Sequence, residues 1–291
     1  MIGLTGFVNI VKPTGMSSSD VVIKVKKILK TKKVGHLGTL DPAASGVLPI
    51  SIGKATKFFD YFLSKDKEYV ALVEFGLSTD SLDSYGNIIE KEDVNITSEM
   101  IERVLCEFVG EIEQIPPKYS AIKINGKRAC DLARENVDFE IKPRKINIYS
   151  INLIRICEKN KFLFKVHCSA GTYIRTLFYD VATRLGTVAI TPVIIRTKSG
   201  LFNTSNAITL EELEESKKIL SIEDVFYNTK KVIVDKNIAF KLINGVRLNV
   251  ENLPLLNLNE EFFIEFDNKL IGLYFVENNI LKPKIYLYEN N

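Results

Sequence analysis

Apolar and polar residues alternate along the segment KEYVALVEF, residues 67–75. Tyr69, Ala71, Val73 and Phe75 fall on one face of this segment, and this period of two predicts a β-strand. A glycine-rich loop precedes the strand in the chain. We therefore expect the face that carries Tyr69 to reach that loop.

Apolar residues recur at helical spacing in an earlier segment of the chain, SSSDVVIKVKKILKTKK. Its inward positions are Val21, Val22, Val25, Ile28 and Leu29. We expect Ser19 or Asp20 to cap the helix, because their side chains can accept a hydrogen bond from its first free amides. Lys24, Lys27 and Lys30 then lie on the solvent side.

A second helical pattern, YIRTLFYDVATRLG, places Arg175 in its first turn. Thr172 is expected to open this helix and Gly186 to close it. The amides at a helix N-terminus give it a partial positive charge, so a cation there is electrostatically disfavoured. We therefore expect Arg175 to have an anionic partner.

Other segments predict further helices and a hairpin. The helix SEMIERVLCEFVG should end at Gly110, and a capping box of Thr209 with Glu212 should start another. The runs INIYSINLIRICE and KFLFKVHCSAG predict two strands joined by a polar turn. His167 lies on the second strand, where we interpret it as a structural residue.

The chain has 291 residues, of which 46% are hydrophobic, and this is near the size at which one core divides into two. Beyond about Asn228, the short apolar runs EFFIEFDN and KLIGLYFVEN predict a small β-rich domain. We expect a main domain over residues 1–228 and a C-terminal domain over residues 229–291.

The net charge is only +3, but the first sixty residues hold nine Lys against three Asp. This local excess makes a polyanion the leading partner. Scattered cysteines and only two histidines argue against a metal site and against disulfides. With no stretch of about 18 apolar residues and no signal-peptide pattern, we expect a soluble, cytoplasmic protein and no membrane partner.

The segment VGHLGTLDPAASGVLPISIGKAT, residues 34–56, isolates His36 and Asp41 among glycines, prolines and small residues. Its GKAT sequence lacks the glycine spacing of a phosphate-binding loop, and Ala55 stands directly after the Lys where that loop has Ser or Thr. A glycosidase needs two carboxylates, and Asp41 has no acidic companion in the segment. By itself the pattern fits a turn-capping Asp before Pro42 better than a catalytic residue.

A long polar segment, EQIPPKYSAIKINGKRACDLARENVDFEIKPRK, carries prolines, many cations and a turn at Asn125-Gly126. It is too long for a passive connection, so we interpret its irregular stretch, about residues 117–146, as a functional arm. Lys123, Lys127 and Arg128 are its candidate phosphate contacts.

The segment GHLGTLDPAASGVLP resembles the active-site motif of the TruB family of tRNA pseudouridine synthases. VKPTGMSSSDVV resembles the N-terminal signature of that family, and EQIPPKYSAIKINGKRA resembles its RNA-contacting insertion. SAGTYIRTL and IIRTKSG resemble two further elements, and together these motifs span roughly residues 6–213.

The resemblance implies conversion of uridine to pseudouridine in the tRNA T-loop, at the position conventionally called 55. It implies that Asp41 is the catalytic carboxylate, that Arg175 is its partner, and that Tyr69 stacks on the flipped base and assists proton removal. Tyr173 and Ile194 would form the pocket, and His36 would support the flipped RNA loop. No cofactor is implied.

The resemblance also implies an α+β pseudouridine-synthase fold: a mixed, largely antiparallel sheet flanked by helices, with a small PUA-like C-terminal domain. We expect a monomer that binds the T-arm of tRNA without an obligate protein partner. The alternatives are a synthase of the RNA-guided kind and a noncatalytic RNA-binding or tRNA-folding protein on the same scaffold. Cys130, where the family commonly has Tyr, and Ile194 and Ile195, where Leu and Arg are usual, depart from the pattern.

Overall fold

The computed structural model describes residues 4–120, 122–135, 137–250 and 260–288, without the side chain of Arg128. The strands of these residues are β1 (Gly6–Lys12), β2 (Val34–His36), β3 (Ser45–Ile52), β4 (Lys67–Phe75), β5 (Leu77–Thr79), β6 (Ile88–Lys91), β7 (Gly110–Gln114), β8 (Lys123–Ile124), β9 (Lys127–Arg128), β10 (Arg144–Glu158), β11 (Lys161–Cys168), β12 (Ala189–Ser199), β13 (Phe202–Asn203), β14 (Lys231–Ile233), β15 (Leu248–Asn249), β16 (Phe262–Phe266), β17 (Lys269–Glu277) and β18 (Ile280–Tyr286). The helices are α1 (Ser18–Ile28), α2 (Phe59–Leu63), α3 (Ser98–Leu105), α4 (Ala129–Arg134), α5 (Ile174–Arg184), α6 (Leu210–Ser216), α7 (Ile222–Val225) and α8 (Lys236–Ile243).

The main sheet has the strand order β1-β3-β12-β4-β11-β10-β7, with β2 paired to β3 and β13 paired to β12. β12 and β3 run parallel, whereas β4 pairs antiparallel with both β12 and β11. The predicted hairpin is present as β10 and β11. The expected α+β fold with a mixed, largely antiparallel sheet is therefore confirmed.

The alternation read from the sequence of β4 is the alternation of its burial, because every second residue from Lys67 to Phe75 is buried. Helices α1, α3 and α5 contribute their apolar residues to the main core against the sheet. In α5 the predicted inward residues Leu177, Phe178 and Val181 are fully buried. The strands and the helices thus share one apolar core.

Three predicted helix boundaries are wrong by a few residues. The N-cap of α1 is Ser17 and not Ser19 or Asp20, because Asp20 lies three residues after Ser17 and closes a capping box with it. Helix α5 begins after Tyr173, because the Thr172 hydroxyl donates instead to the Ser169 carbonyl. Helix α3 ends at residue 105, and a single 3₁₀ turn, residues 106–108, follows it before Gly110.

The arm is more regular than the sequence suggested. Strands β8 and β9 form a small hairpin, and Asn125 and Gly126 turn it with positive φ angles of 49° and 86°. Two consecutive positive φ angles are the geometry that an Asn-Gly pair favours in a two-residue hairpin. Helix α4 follows directly and buries Ala129 and Leu132, so our expectation of an irregular segment is corrected here.

A second sheet, with the order β14-β16-β17-β18-β15, forms the C-terminal part of the chain. It has an apolar cluster of its own around Phe262, Ile264 and Tyr274. A further cluster joins it to the main domain, and we call this cluster the aromatic seam. Its aromatic members are Phe7, Phe58, Phe62, Phe202, Phe226 and Phe263.

No helix in the described part of the chain combines the length and the apolar character that crossing a bilayer requires.

Candidate active site

The loop between β2 and β3 carries Asp41, and helix α1 fixes the residue before it. The Ser18 hydroxyl donates to the Leu40 carbonyl at 2.9 Å and accepts from the Leu40 amide at 2.8 Å. Ser18 is buried, so water cannot replace these two bonds. The first turn of α1 therefore sets the position of the loop at Leu40.

The segment after β1 fixes the other side of Asp41. The buried Lys12 ammonium donates to the Met16 carbonyl at 2.7 Å and to the Pro42 carbonyl at 3.3 Å. The Gly15 amide also donates to the Pro42 carbonyl, at 2.8 Å. Burial lowers the pKa of Lys12 to about 8, and the nearby Asp41 carboxylate opposes that shift.

Asp41 and Arg175 form a short ion pair. The Arg175 Nη2 atom lies 2.5 Å from the Asp41 Oδ2 atom, with 5% of the arginine side chain and 36% of the aspartate side chain exposed. The same guanidinium donates to the Ser81 carbonyl at 2.8 Å and to the Tyr119 carbonyl at 3.1 Å. Arg175 is thus held from several sides, whereas Asp41 remains accessible.

The expected anionic partners explain why a cation stands in the first turn of α5. Asp83 is buried and its Oδ2 atom lies 3.7 Å from Arg175 Nη1, so the arginine has two carboxylates near it. Tyr173, the N-cap, offers no side-chain cap. Instead its amide donates to Gln114 Oε1 at 2.8 Å.

A cleft of about 290 Å³ opens over Asp41 at the middle of the sheet. The structure brings together in its walls five of the six residues that the sequence singled out: Asp41, Tyr69, Tyr173, Arg175 and Ile194. The arm adds Ile122 and the strands add Lys67 and Arg196. A carboxylate, two aromatic rings and an apolar wall make the cleft suitable for a planar base.

Both tyrosines are neutral at pH 7, and burial moves the pKa of each further above that pH. Burial raises the pKa of Tyr69 to about 12, while the positive charge of Arg196 partly opposes this shift. Burial also raises the pKa of Tyr173. At neutral pH Tyr69 therefore presents a neutral ring and an O–H group, which suits stacking better than removal of a proton.

His36 is separate from this group. It ends β2, pairs with Ile50 on β3, and does not line the cleft. Burial and the charge of Arg196 lower its pKa, so the imidazole is neutral at pH 7. Its Nδ1 atom is buried and finds no hydrogen-bond partner among the described residues. Its predicted role in supporting RNA stays a prediction.

The predicted RNA-binding cations lie on two surfaces. Lys24, Lys27 and Lys30 are exposed on and just after α1, and Lys123 and Lys127 are exposed on the arm. Lys127 lies 3.6 Å from Glu135 in an exposed ion pair. The side chain of Arg128 lies outside the described residues.

Comparison with known proteins shows which family has this sequence and this fold. Residues 26–174 match the family model described as TruB family pseudouridylate synthase, N-terminal domain. The chain belongs to the TruB family. The match contains Asp41, Tyr69 and Tyr173, and Arg175 follows it directly.

Curated relatives extend the likeness over nearly the whole chain. A tRNA pseudouridine synthase B of Clostridioides difficile strain 630 is 41% identical over 97% of this chain and 95% of its own length. One of Clostridium perfringens strain 13 / Type A is 43% identical over 93% of this chain and 91% of its own. The family members of this kind are isomerases, so the chain is assigned to an enzyme family.

Solved structures agree on the fold. A chain of a Cbf5-Nop10-Gar1 complex superposes with a TM-score of 0.73 at 28% identity, over 97% of this chain and 85% of its own. A chain of an H/ACA RNP bound to a substrate RNA containing 2′-deoxyuridine gives 0.71 at 26% identity, over 98% and 85%.

The sequence patterns missed four residues that hold this site. Lys12, Ser18, Asp83 and Arg196 are all buried, and each contacts a residue of the site or its loop across a long sequence separation. A charged residue inside an apolar strand was the available signal for Lys12 and Arg196. For Ser18 and Asp83 the local sequence gave none. In the described part of the chain, no group of three or more His, Cys, Asp or Glu side chains is placed to hold a metal ion.

Proposed function

We propose that this protein converts uridine to pseudouridine in the T-loop of tRNA, at the position conventionally called 55, with Asp41 as the catalytic carboxylate. The curated relatives carry the name tRNA pseudouridine synthase B, which supports tRNA as the substrate. The observation that carries the proposal for Asp41 is its place in the cleft, ion-paired to Arg175 and faced by Tyr69.

The reaction needs little beyond what the cleft offers. The bond from uracil N1 to ribose C1′ breaks, the base turns over, and C5 bonds to C1′. The C5 proton leaves and N1 gains a proton, so atoms and electrons balance without a cofactor. Asp41 starts the cleavage, whether by attack on the sugar, by attack on the base, or by elimination toward a glycal.

Each neighbour then has a separate task. Arg175 orients the Asp41 carboxylate through Oδ2, and among the described residues no hydrogen bond engages Oδ1, which can meet the substrate. Tyr69 stacks on the uracil while it is detached, and Tyr173 and Ile194 close the pocket around it. Because a stacked nucleotide cannot enter a cleft of this kind, the uridine must leave the T-loop stack first.

The rest of the chain would hold the RNA. The cations of α1 and of the arm, residues 117–146, would contact phosphates, and His36 would support the opened loop. We place the domain boundary between residues 228 and 229, with the C-terminal sheet as a PUA-like RNA-binding module. The protein would act as a monomer in the cytoplasm, without an obligate protein partner.

The test uses purified protein and an unmodified tRNA transcript, with chemical mapping of pseudouridine. We expect one modified uridine, in the T-loop, and none in a transcript with cytidine at that position. Tight binding of the transcript without any product would instead favour the noncatalytic RNA-binding alternative. Product at a different uridine would keep the enzyme class and overturn the T-loop assignment.

A further inference from the structure

Arg196 is a buried cation at the centre of the sheet. Only 1% of the residue is exposed, and it lies on β12 between β3 and β4. Among the described residues it forms no ion pair with a carboxylate. Burying an unpaired charge is costly unless hydrogen bonds compensate for the lost water, so the bonds of this guanidinium indicate what it is there to hold.

Three of those bonds go to the loop that carries Asp41. Nε donates to the Val47 carbonyl at 2.8 Å, Nη1 to the Thr39 carbonyl at 3.1 Å and Nη2 to the Gly38 carbonyl at 3.1 Å. Gly38 and Thr39 precede Asp41, whereas Val47 follows it. One planar group therefore ties the two ends of the loop together.

The close approach of β3 to Arg196 depends on Gly46. Its φ is +102°, and a Cβ built there would lie 2.3 Å from the Arg196 carbonyl oxygen. A larger residue would push the strand away and lengthen the three bonds. The backbone is thus shaped to bring the loop within reach of the guanidinium.

Arg196 also lies beside Tyr69. The two residues are directly opposite each other on β12 and β4, so their side chains project from the same face of the sheet. Both side chains line the cleft. The strand that carries Arg196 therefore holds the loop of Asp41 next to Tyr69.

We propose that Arg196 is a positioning residue for the isomerisation, because one buried guanidinium holds both ends of the Asp41 loop from the strand position opposite Tyr69 and so sets the placement of Asp41 relative to Tyr69. This inference rests on the proposed function. It assigns Arg196 no contact with the reacting atoms: the guanidinium acts through the carbonyls of the loop.

Arg196→Lys keeps the charge but loses the planar group that bonds the three carbonyls. We expect the single-turnover rate of pseudouridine formation to fall about 100-fold, as small misplacements of reacting groups do. The Kd for a T-arm hairpin should stay within about threefold, since binding depends mainly on phosphate contacts. Arg184→Lys makes the same change on the surface of α5 and should alter neither.

Hydrogen exchange separates positioning from general stability and does not depend on activity. In Arg196→Lys, amides of residues 37–48 should exchange faster, while those of residues 161–168 in β11 stay protected. Phe162→Leu, a core change in β11, should show the reverse and keep a rate near that of the parent protein.

Unchanged rate, or faster exchange across the whole domain, would contradict the proposal. So would failure of both Arg196→Lys and Arg196→Gln to fold, because Arg196 would then serve the fold as a whole. If the parent protein makes no pseudouridine at all, the proposed function fails, while the exchange result still decides whether Arg196 fixes the loop.

Discussion

At the scale of single residues, the site is the ion pair of Asp41 and Arg175, and hydrogen bonds from neighbouring residues hold this pair and its loop in place. The sequence pattern by itself singled out Arg175, because a cation in a first helical turn breaks a local rule. The roles of Asp41 and Tyr69 came from the family resemblance, because an Asp before Pro also fits an ordinary turn. The sequence patterns did not find Ser18 or Asp83. A serine in a run of three and an aspartate in a turn obey local rules, and only the fold brings them beside Asp41 and Arg175.

The Arg175 pairing can be tested by a change that keeps the charge. Arg175→Lys loses the bonds to Ser81 and Tyr119 that hold the guanidinium against Asp41. We expect the rate of pseudouridine formation to fall by about 100-fold, because the carboxylate loses its fixed orientation. Binding of the T-arm hairpin should change little. Unchanged turnover with weakened binding would mean that Arg175 serves a phosphate instead.

Asp180 on α5 predicts a pH dependence of stability. Burial raises its pKa from 3.8 to about 6, so between these values the folded protein holds a proton that the unfolded chain has released. Its contribution to stability is therefore present at low pH and lost as pH rises through about 6.

Asp180→Asn should remove this loss. At pH 7.5 we expect the free energy of unfolding to rise by about 1 kcal/mol, less than the full shift implies because water reaches part of the side chain. Urea unfolding between pH 4 and 7.5 measures it. Asp138→Asn, a change at an exposed carboxylate, is the control. An equal slope in the parent protein and Asp180→Asn would contradict the prediction.

At the scale of elements, the sequence patterns predicted the type and the order of the helices and strands better than the residues at which they begin and end. Strand β4 and helix α5 were found from their periods, since burial on one face imposes the period. The start of α1 was misplaced, since each of three adjacent serines can cap a helix. Ser17 caps it and leaves Ser18 free to bond Leu40, an interaction between distant segments that no local pattern contains.

Helix α1 and the arm together predict how affinity depends on salt. If Lys24, Lys27 and Lys127 contact phosphates, binding releases counterions, and affinity for the T-arm hairpin falls steeply as salt rises. Changing all three to Gln should reduce the slope of log K against log salt by roughly 1 for each phosphate that the protein no longer neutralises.

Turnover at saturating RNA should change little in that triple variant. A matched control changes Lys91, Lys159 and Lys165 to Gln, three exposed lysines that lie outside α1, the arm and the C-terminal sheet. If the variant of Lys24, Lys27 and Lys127 has the same salt slope as the parent protein, these three residues are only solvated, and the RNA follows another path.

At the scale of the whole molecule, the described residues form a main sheet and a C-terminal sheet, besides two short two-stranded sheets, and the aromatic seam joins the two larger sheets. The short apolar runs in the sequence predicted that residues 229–291 form a domain of their own. They could not show that Phe263 packs against Phe58 and Phe226, because that packing joins segments far apart in the chain. Local sequence patterns could not predict the strand order of the main sheet either, because the parallel pairing of β12 with β3 joins residues about 150 positions apart.

The aromatic seam predicts that the two parts unfold together. Phe263→Ala should lower the free energy of unfolding by about 3–5 kcal/mol, as expected for an emptied aromatic site. Hydrogen exchange should accelerate in β1 as well as in β17, because Phe7 and Leu273 belong to the same cluster. Tyr227→Ala, at a residue that is 79% exposed, is the control. Faster exchange confined to residues 260–288 would mean that the C-terminal part is an independent unit.

The most direct test of the central claim, that Asp41 carries out the isomerisation, uses tRNA labelled with tritium at C5 of uridine. Forming the bond from C5 to C1′ releases that tritium to water, so its release counts each turnover. Asp41→Asn keeps the shape of the side chain and removes the carboxylate. We expect this variant to fold, to bind the transcript and to release no tritium above background, while Asp60→Asn on α2 matches the parent protein. Tritium release by Asp41→Asn near the parent rate would contradict the assignment of Asp41 as the catalytic residue.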